Sequence, residues 1–348
     1  MIRFAWLQSR TQTLVAMAGL AIVAVCLVLT GPGLVHLYNT MISPCAAQGC
    51  SETTINAFLQ SHKEIRNWLD ILVLVIPGII GVFWGAPLVA RELETGTYRL
   101  AWTQSVTRTR WLVVKLAVIV VASMAVAGLL SLIITLWNRP HDRASLDAFS
   151  TFDARDIVPI GYAAFALALG VTVGVLIRRT LPAMATVAVV FTATRLAMSH
   201  WVRPNLLPPR YLVTALNPES TGFGRINSGP DTLQPATPRI PNAWVVSNRI
   251  VDSAGRALTP DVVASTCPRI NTDPVPAPVG GTRAKVPAAV ESAFQDCVTK
   301  ISAKYHVLTT YHPASSYWAF QWYEMAIYIA GAAALAGICV WVIRHRRS

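Results

Sequence analysis

Residues 71–126 read ILVLVIPGIIGVFWGAPLVARELETGTYRLAWTQSVTRTRWLVVKLAVIVVASMAV. Two apolar runs enclose a compact block of arginine, glutamate, threonine and tryptophan. The block contains no His, no Cys and no glycine-rich phosphate loop, so catalytic chemistry is not expected of it. The runs set its context, because a bilayer's hydrocarbon core takes roughly 20 predominantly apolar residues per helix.

Working outward, the chain offers six such stretches, near 13–35, 69–90, 112–137, 158–177, 182–202 and 321–343. Only 13% of the 348 residues are charged and 53% are hydrophobic, whereas a soluble domain carries about 25% charged residues. Unpaired backbone groups in lipid cost several kcal/mol each, so the spans must be helices. The first stretch competes with a secretory signal, since Arg3 and Arg10 precede it. Its apolar run over 14–29 is long, however, and no small-x-small cleavage site follows before Thr30, Gly31 and Pro32, which favours a retained span. The expected fold is an all-α polytopic membrane protein with both termini cytoplasmic. A small irregular α/β extracytoplasmic domain is expected between the fifth and sixth spans.

The net charge of +12 invites a nucleic-acid partner, and its distribution argues against one. With a cytoplasmic N-terminus, Arg3, Arg10, Arg91, Arg99, Arg108, Arg110, Lys115, Arg178, Arg179, Arg344, Arg346 and Arg347 fall inside, against only Glu92 and Glu94. Short cytoplasmic loops rich in Lys and Arg set topology. Trp68, Trp137, Trp201, Trp318 and Trp322 then mark outer ends of spans, and Trp111 and Trp341 inner ends, as an aromatic belt would.

Cys26 and Cys339 lie within spans and read as small apolar packing residues. Cys45, Cys50, Cys267 and Cys297 fall on the outer side, where disulfides persist. Three pairings are open; the most local joins Cys45 to Cys50 and Cys267 to Cys297. The His residues show no ligand spacing near these cysteines, so no metal site is expected.

The N-terminal MIRFAWLQSRTQ is amphipathic and suits either the inner interface or a topogenic flank. An outer loop of about thirty residues follows the first span, and a short polar loop, NRPHDRASLDAFSTFDARD, follows the third. RRTLP makes a tight hairpin between the fourth and fifth spans. Residues 204–320 hold fifteen of the 22 prolines. Within them AWVVSNRIVDSAGR predicts a strand with a turn at Ser253 to Gly255. PAAVESAFQDCVTKISAKYH predicts a helix begun by Pro287. The expected division is therefore 1–203 with the block at 91–111, then 204–320, then 321–348.

On this topology the block is cytoplasmic. A helix continuing the second span reaches Glu94, Gly96 breaks it, residues 97–102 allow a further turn or two, and 108–115 leads into the third span. Such a segment can insert into a groove on a cytosolic partner and pass that partner's motion to two spans. The sequence GAPLVARELETGTYRLAWTQSVTRTRWLVVKL resembles the first cytoplasmic loop of ABC type-2 permeases, the membrane subunits of ATP-driven exporters. Glu92, Glu94, Gly96, Thr97, Leu100, Thr107, Arg108 and Lys115 fit that family's order of acidic residue, Gly–Thr pair, leucine, Ser/Thr–Arg element and lysine. Trp6, Gln8, Arg10 and Gln12 resemble a theme of an actinobacterial branch, as does FQWYE at 320–324. The likeness covers most of the membrane portion and fades over about 205–285.

The resemblance implies an exporter permease that binds no ATP itself. ATP and Mg would belong to a separate ATPase subunit, docking on Arg91, Glu92, Glu94, Gly96, Thr97, Arg99, Leu100, Trp102, Thr107 and Arg108. No G-x-x-x-x-G-K-[ST] loop is present, and no paired His/Glu or Ser/His constellation appears in a span. The family further implies a second permease copy, as a homodimer or with a sister permease. The apolar path suits an amphiphilic or hydrophobic cargo, an antibiotic or a lipid-like molecule. The competing expectation is a sensor or resistance module whose ATPase moves the outer domain without transport.

Pro77, Gly78, Gly81, Gly85 and Pro87 in the second span allow either a bendable wall or close helix packing, with packing favoured. Arg195 lies about 21 Å into the fifth span from Leu181, and Glu324 about 28 Å from Ile343 in the sixth, at roughly 1.5 Å per residue. Buried charges at such depth find partners. The depths differ by about 7 Å, which predicts an Arg195–Glu324 pair, with snorkelling of Arg195 as the alternative.

Overall fold

The computed structural model describes residues 2–46, 49–94, 108–216, 235, 238, 240–266 and 288–345. The chain forms two compact units, Met1–Leu207 with Ser315–Ser348, and Pro208–Ala314.

Among the described residues, six helices are long and apolar enough to cross a membrane: Ala18–Met41, Lys63–Arg91, Leu116–Ser145, Val158–Ile177, Thr180–Asn205 and Ala314–His345. The helix α1 (Ile2–Met41) is continuous, so the N-terminal segment does not turn before the first span. It runs through Gly31 and Pro32 and beyond the expected end of the span near residue 35. Leu20, Leu27 and Leu34 recur every seven residues on its buried stripe, the seam expected of helices packed side by side. Cys26 on the same helix is exposed rather than packed, because it lies off that stripe. Trp137 is buried beside α1, its indole N–H donating to Thr30 Oγ1 at 3.2 Å. It is a packing residue, not part of an interfacial belt.

The expected loop after the first span contains the disulfide Cys45–Cys50 and a helix, α2 (Glu52–Ser61). Ser51 caps α2 by accepting from the Thr54 N–H at 3.2 Å, and Phe58 anchors it in the apolar cluster around Leu34 and Ile134. Next come α3 (Lys63–Ile79), a π-helical turn at Ile80–Gly85, and α4 (Ala86–Glu94). The remaining helices of this unit are α5 (Arg108–Ser145), α6 (Val158–Ile177), α7 (Thr180–Ala197) and α10 (Tyr317–His345).

The helix α6 is the hub. Within the most apolar 18-residue window of each span, 78% of α6 is buried against 17–33% elsewhere. It carries no charge, and its many Gly and Ala residues let neighbours approach on every side. Gly81 and Gly85 from the π turn face Ala166, Leu167 and Gly170 of α6, and Gly174 of α6 faces Ala86 and Ala90 of α4. A Cβ at Gly81 would fall 2.5 Å from the Ala166 carbonyl oxygen, and one at Gly174 would fall 2.6 Å from that of Ala86. The glycines of the second span therefore serve close backbone packing.

The second unit is a three-stranded antiparallel sheet in the order β1-β3-β2, from β1 (Arg210–Ala215), β2 (Trp244–Asp252) and β3 (Tyr305–His312). The helices α8 (Pro260–Thr266) and α9 (Ala288–Ser302) complete it. Its core joins Leu216, Ile250, Val263, Val298, Ile301 and Val307. Strand β2 and its turn, with Gly255 at φ +78°, follow the sequence pattern. The predicted helix stops at Ser302, because Tyr305 and His306 pair with Asp252 and Val251 in β2. Cys297 is disulfide-bonded, and Cys267 lies outside the described residues.

Candidate functional site

Where the sequence suggested a polar loop after the third span, the chain instead folds into the helical unit. The helix α5 extends to Ser145, and Phe152, Ala154 and Arg155 are buried. This segment brings Asp153 to two arginines of the fifth span and a glutamate of the sixth.

Glu324 is fully buried, with 0% exposure. Arg203 grips it as a fork, Nε donating to Oε2 at 2.7 Å and Nη2 to Oε1 at 2.9 Å. The same guanidinium bonds both oxygens of Asp153, with Nη1 to Oδ2 at 3.1 Å. Arg195 Nη2 reaches Asp153 Oδ1 at 3.2 Å, and its Nη1 lies 3.8 Å from Glu324 Oε1. The Tyr162 hydroxyl lies within hydrogen-bond distance of both carboxylates, and the Arg195 guanidinium sits 3.5 Å over its ring. Two positive and two negative side chains thus balance inside the bundle, where an unpaired charge would be costly. Burial alone would raise the Asp153 pKa. Hydrogen bonds from Arg203, the charges of both arginines and the Tyr162 hydroxyl outweigh it, holding the carboxyl at about 2.

A second layer supports the first. Arg155 Nη1 donates to Asp142 at 2.6 Å, and its Nε donates to the Tyr317 hydroxyl at 3.1 Å. Tyr317 in turn donates to Asp156. Gln321 Oε1 accepts the N–H groups of Ile157 and Val158 at 3.2 and 3.1 Å, capping α6 from another helix. Its amide donates to the Phe152 carbonyl and to Tyr317. In FQWYE, then, Phe320, Gln321 and Glu324 face inward, while Trp322 and Tyr323 are exposed. Gln321→Leu is expected to orphan two helix-terminal donors and lower stability by about 1–2 kcal/mol. Thermal unfolding of the detergent-purified protein reads this directly.

The pair proposed from depth, Arg195 with Glu324, is 3.8 Å apart, and Arg203 is the closer partner of Glu324. Sequence reasoning missed Arg203, Asp153 and Tyr162. At roughly 100° per residue an unbroken α-helix puts Arg203 about 80° around from Arg195. The π turn Met198–Val202, with the Arg203 N–H bonded to the Met198 carbonyl, is wider and takes up part of that angle. The arginine just before Pro204 was the available signal.

At the opposite end of the helices, α4 carries Arg91 and Glu92 and ends at Glu94. The Glu94 carboxylate accepts the Thr180 N–H at 3.1 Å and its hydroxyl at 2.7 Å, capping α7. These hydrogen bonds lower its pKa. Gly96, Thr97, Arg99, Leu100, Trp102 and Thr107 lie outside the described residues, and α5 begins at Arg108.

Six apolar helices, one of them a buried glycine- and alanine-rich hub, define a multi-pass membrane protein. Residues 17–203, more than half of the chain, match the family model described as ABC-2 membrane transporter related, and the protein belongs to that family. Membership implies an ATPase partner in general. No curated protein and no solved structure matches the chain.

Proposed function

We propose that this chain is the permease subunit of an ATP-driven exporter, moved by a separate ATPase that docks on residues 91–111 from the cytoplasm and holds the ATP and Mg. The observation that carries the reading is the Glu94–Thr180 link. It ties the start of the docking segment to the fifth span, in addition to the two spans the segment joins in sequence. Displacement of the segment then moves three spans as one body. The cargo expected from the apolar helices is amphiphilic or hydrophobic, an antibiotic or a lipid-like molecule, carried by two permease halves.

The separate Pro208–Ala314 unit with its own core supports the second reading, a module that moves an extracytoplasmic domain without transport. Both readings need the ATPase, so its coupling is tested first. The detergent-solubilised protein is co-expressed with an ABC ATPase and pulled down as wild type, Glu94→Arg and Thr97→Trp. Co-purified ATPase activity is expected to fall by about tenfold in the variants. Absence of a bound ATPase, or activity indifferent to both changes, would mean that the block only orients the chain in the membrane.

A further inference from the structure

Helix α2 closes over a histidine that makes no hydrogen bond. His141 of α5 is 2% exposed, and among the described residues neither ring nitrogen meets a donor or acceptor. Asn138, about one turn earlier, is buried and equally without partners. Phe58 of α2 stands edge-on to the His141 ring at 5.1 Å between centroids, Trp137 lies at 5.8 Å and His62 at 6.5 Å. Tyr38 of α1 backs Phe58 at 5.9 Å.

The surroundings do not suit a positive charge on this ring. Arg66 of α3 and His62 are the charged or titratable groups acting on it. Asp70, one turn beyond Arg66, interacts with Arg66 and Arg155. Asp142, next to His141 in α5, is bound by Arg155 at 2.6 Å. An imidazolium here would lose its hydration, gain no acceptor and face a guanidinium. Contacts with the Phe58 and Trp137 rings return less than that lost hydration.

Helix α2 can also move. Phe58 is the one buried side chain among its described residues, and segments with few buried apolar contacts open first. It meets α3 at His62, whose φ of −124° and ψ of 21° break the helix there, while the Cys45–Cys50 disulfide closes the turn before it. Roughly 20 residues counted on from Lys115 fill the hydrocarbon core, so the last turns of α5, with His141, stand beyond it on the side of α2.

We propose that His141 makes α2 an acid-opened cover at the end of the second span opposite Glu94. A hydrated imidazole takes a proton near pH ~6.5, so acid favours the arrangement in which α2 has swung off His141. The closed cover is stable above that pH and is lost as the pH falls. The device stands whether or not the chain transports anything, and it is read without an ATPase.

Hydrogen exchange by mass spectrometry on the full-length protein in nanodiscs tests it, with rates corrected for their intrinsic pH dependence, at about pH 7.5 and about pH 5. Wild-type protection over α2 is expected to fall by about 30-fold on acidification, the factor for one proton taken up by an ordinary imidazole, while α6 stays protected. His141→Leu and His141→Phe cannot take the proton and are expected to hold α2 protection within about twofold between the two pH values. His62→Gln is expected to keep most of the wild-type fall. Equal wild-type protection at both pH values overturns the device, as does a fall that survives both His141 variants or disappears in His62→Gln.

Discussion

Removing either partner of the Arg203–Glu324 fork is expected to destabilise the helical unit by about 3–5 kcal/mol. Glu324 is wholly buried and Arg203 nearly so, so Glu324→Ala leaves two arginines against Asp153 alone, and Arg203→Ala leaves two carboxylates against Arg195 alone. Either variant should give little monodisperse protein and an early thermal transition by tryptophan fluorescence. The double variant Arg203→Met with Glu324→Leu removes both charges and keeps volume. It is expected to melt closer to wild type than either alanine variant, because Asp153 still has Arg195 at 3.2 Å. A double variant as unstable as the singles would mean that the network contributes more than compensation of buried charge. Exchanging charges at 195 and 324 alone should not restore stability, since the new arginine at 324 would face Arg203.

Among the described glycines, Gly170→Ala is expected to be the most damaging single-methyl addition. The new Cβ would meet the Gly81 carbonyl oxygen, the Ala86 nitrogen and the Gly85 Cα, all backbone atoms. No side chain can swing aside, so the second span must move off α6, at a cost of about 1–3 kcal/mol or more. Gly337→Ala is the control, because nothing lies within 4 Å of its added methyl. Exchanging a helical glycine for alanine in open space should be neutral or stabilising by about 0.5–1 kcal/mol. If both variants shift the thermal transition equally, the contact of the π turn and α4 with α6 is looser than the geometry indicates.

Much of the architecture was legible because a bilayer imposes a one-dimensional rule. Length and apolarity over 158–177 predict a span whatever it touches, and the helix found there has those bounds. Ends were less legible. The helix α1 passes Pro32, since a proline in a membrane helix is tolerated when neighbours satisfy the freed groups. Segment 146–157 looked polar and external, yet Asp153, Arg155 and Asp156 are inside because each meets an opposite charge, while Asp147 stays exposed and accepts from the Ser150 N–H. The depth of Arg195 and Glu324 was readable by counting residues. Arg203 escaped because the π turn changes the angular phase that helical counting assumes.

The sequence by itself determined the class of the protein: apolar runs too long for anything but helices in lipid, and a charged block of recognisable order between two of them. Which helix is central, which glycines touch backbone, and which arginine holds Glu324 were decided only by tertiary structure. Local apolarity and spacing are properties of neighbours in the chain. The Arg203–Glu324 fork joins residues 121 positions apart, and the Glu94–Thr180 cap joins residues 86 apart. Their pairing depends on the rotation and register of whole helices, which are set by the close packing of small residues on α6.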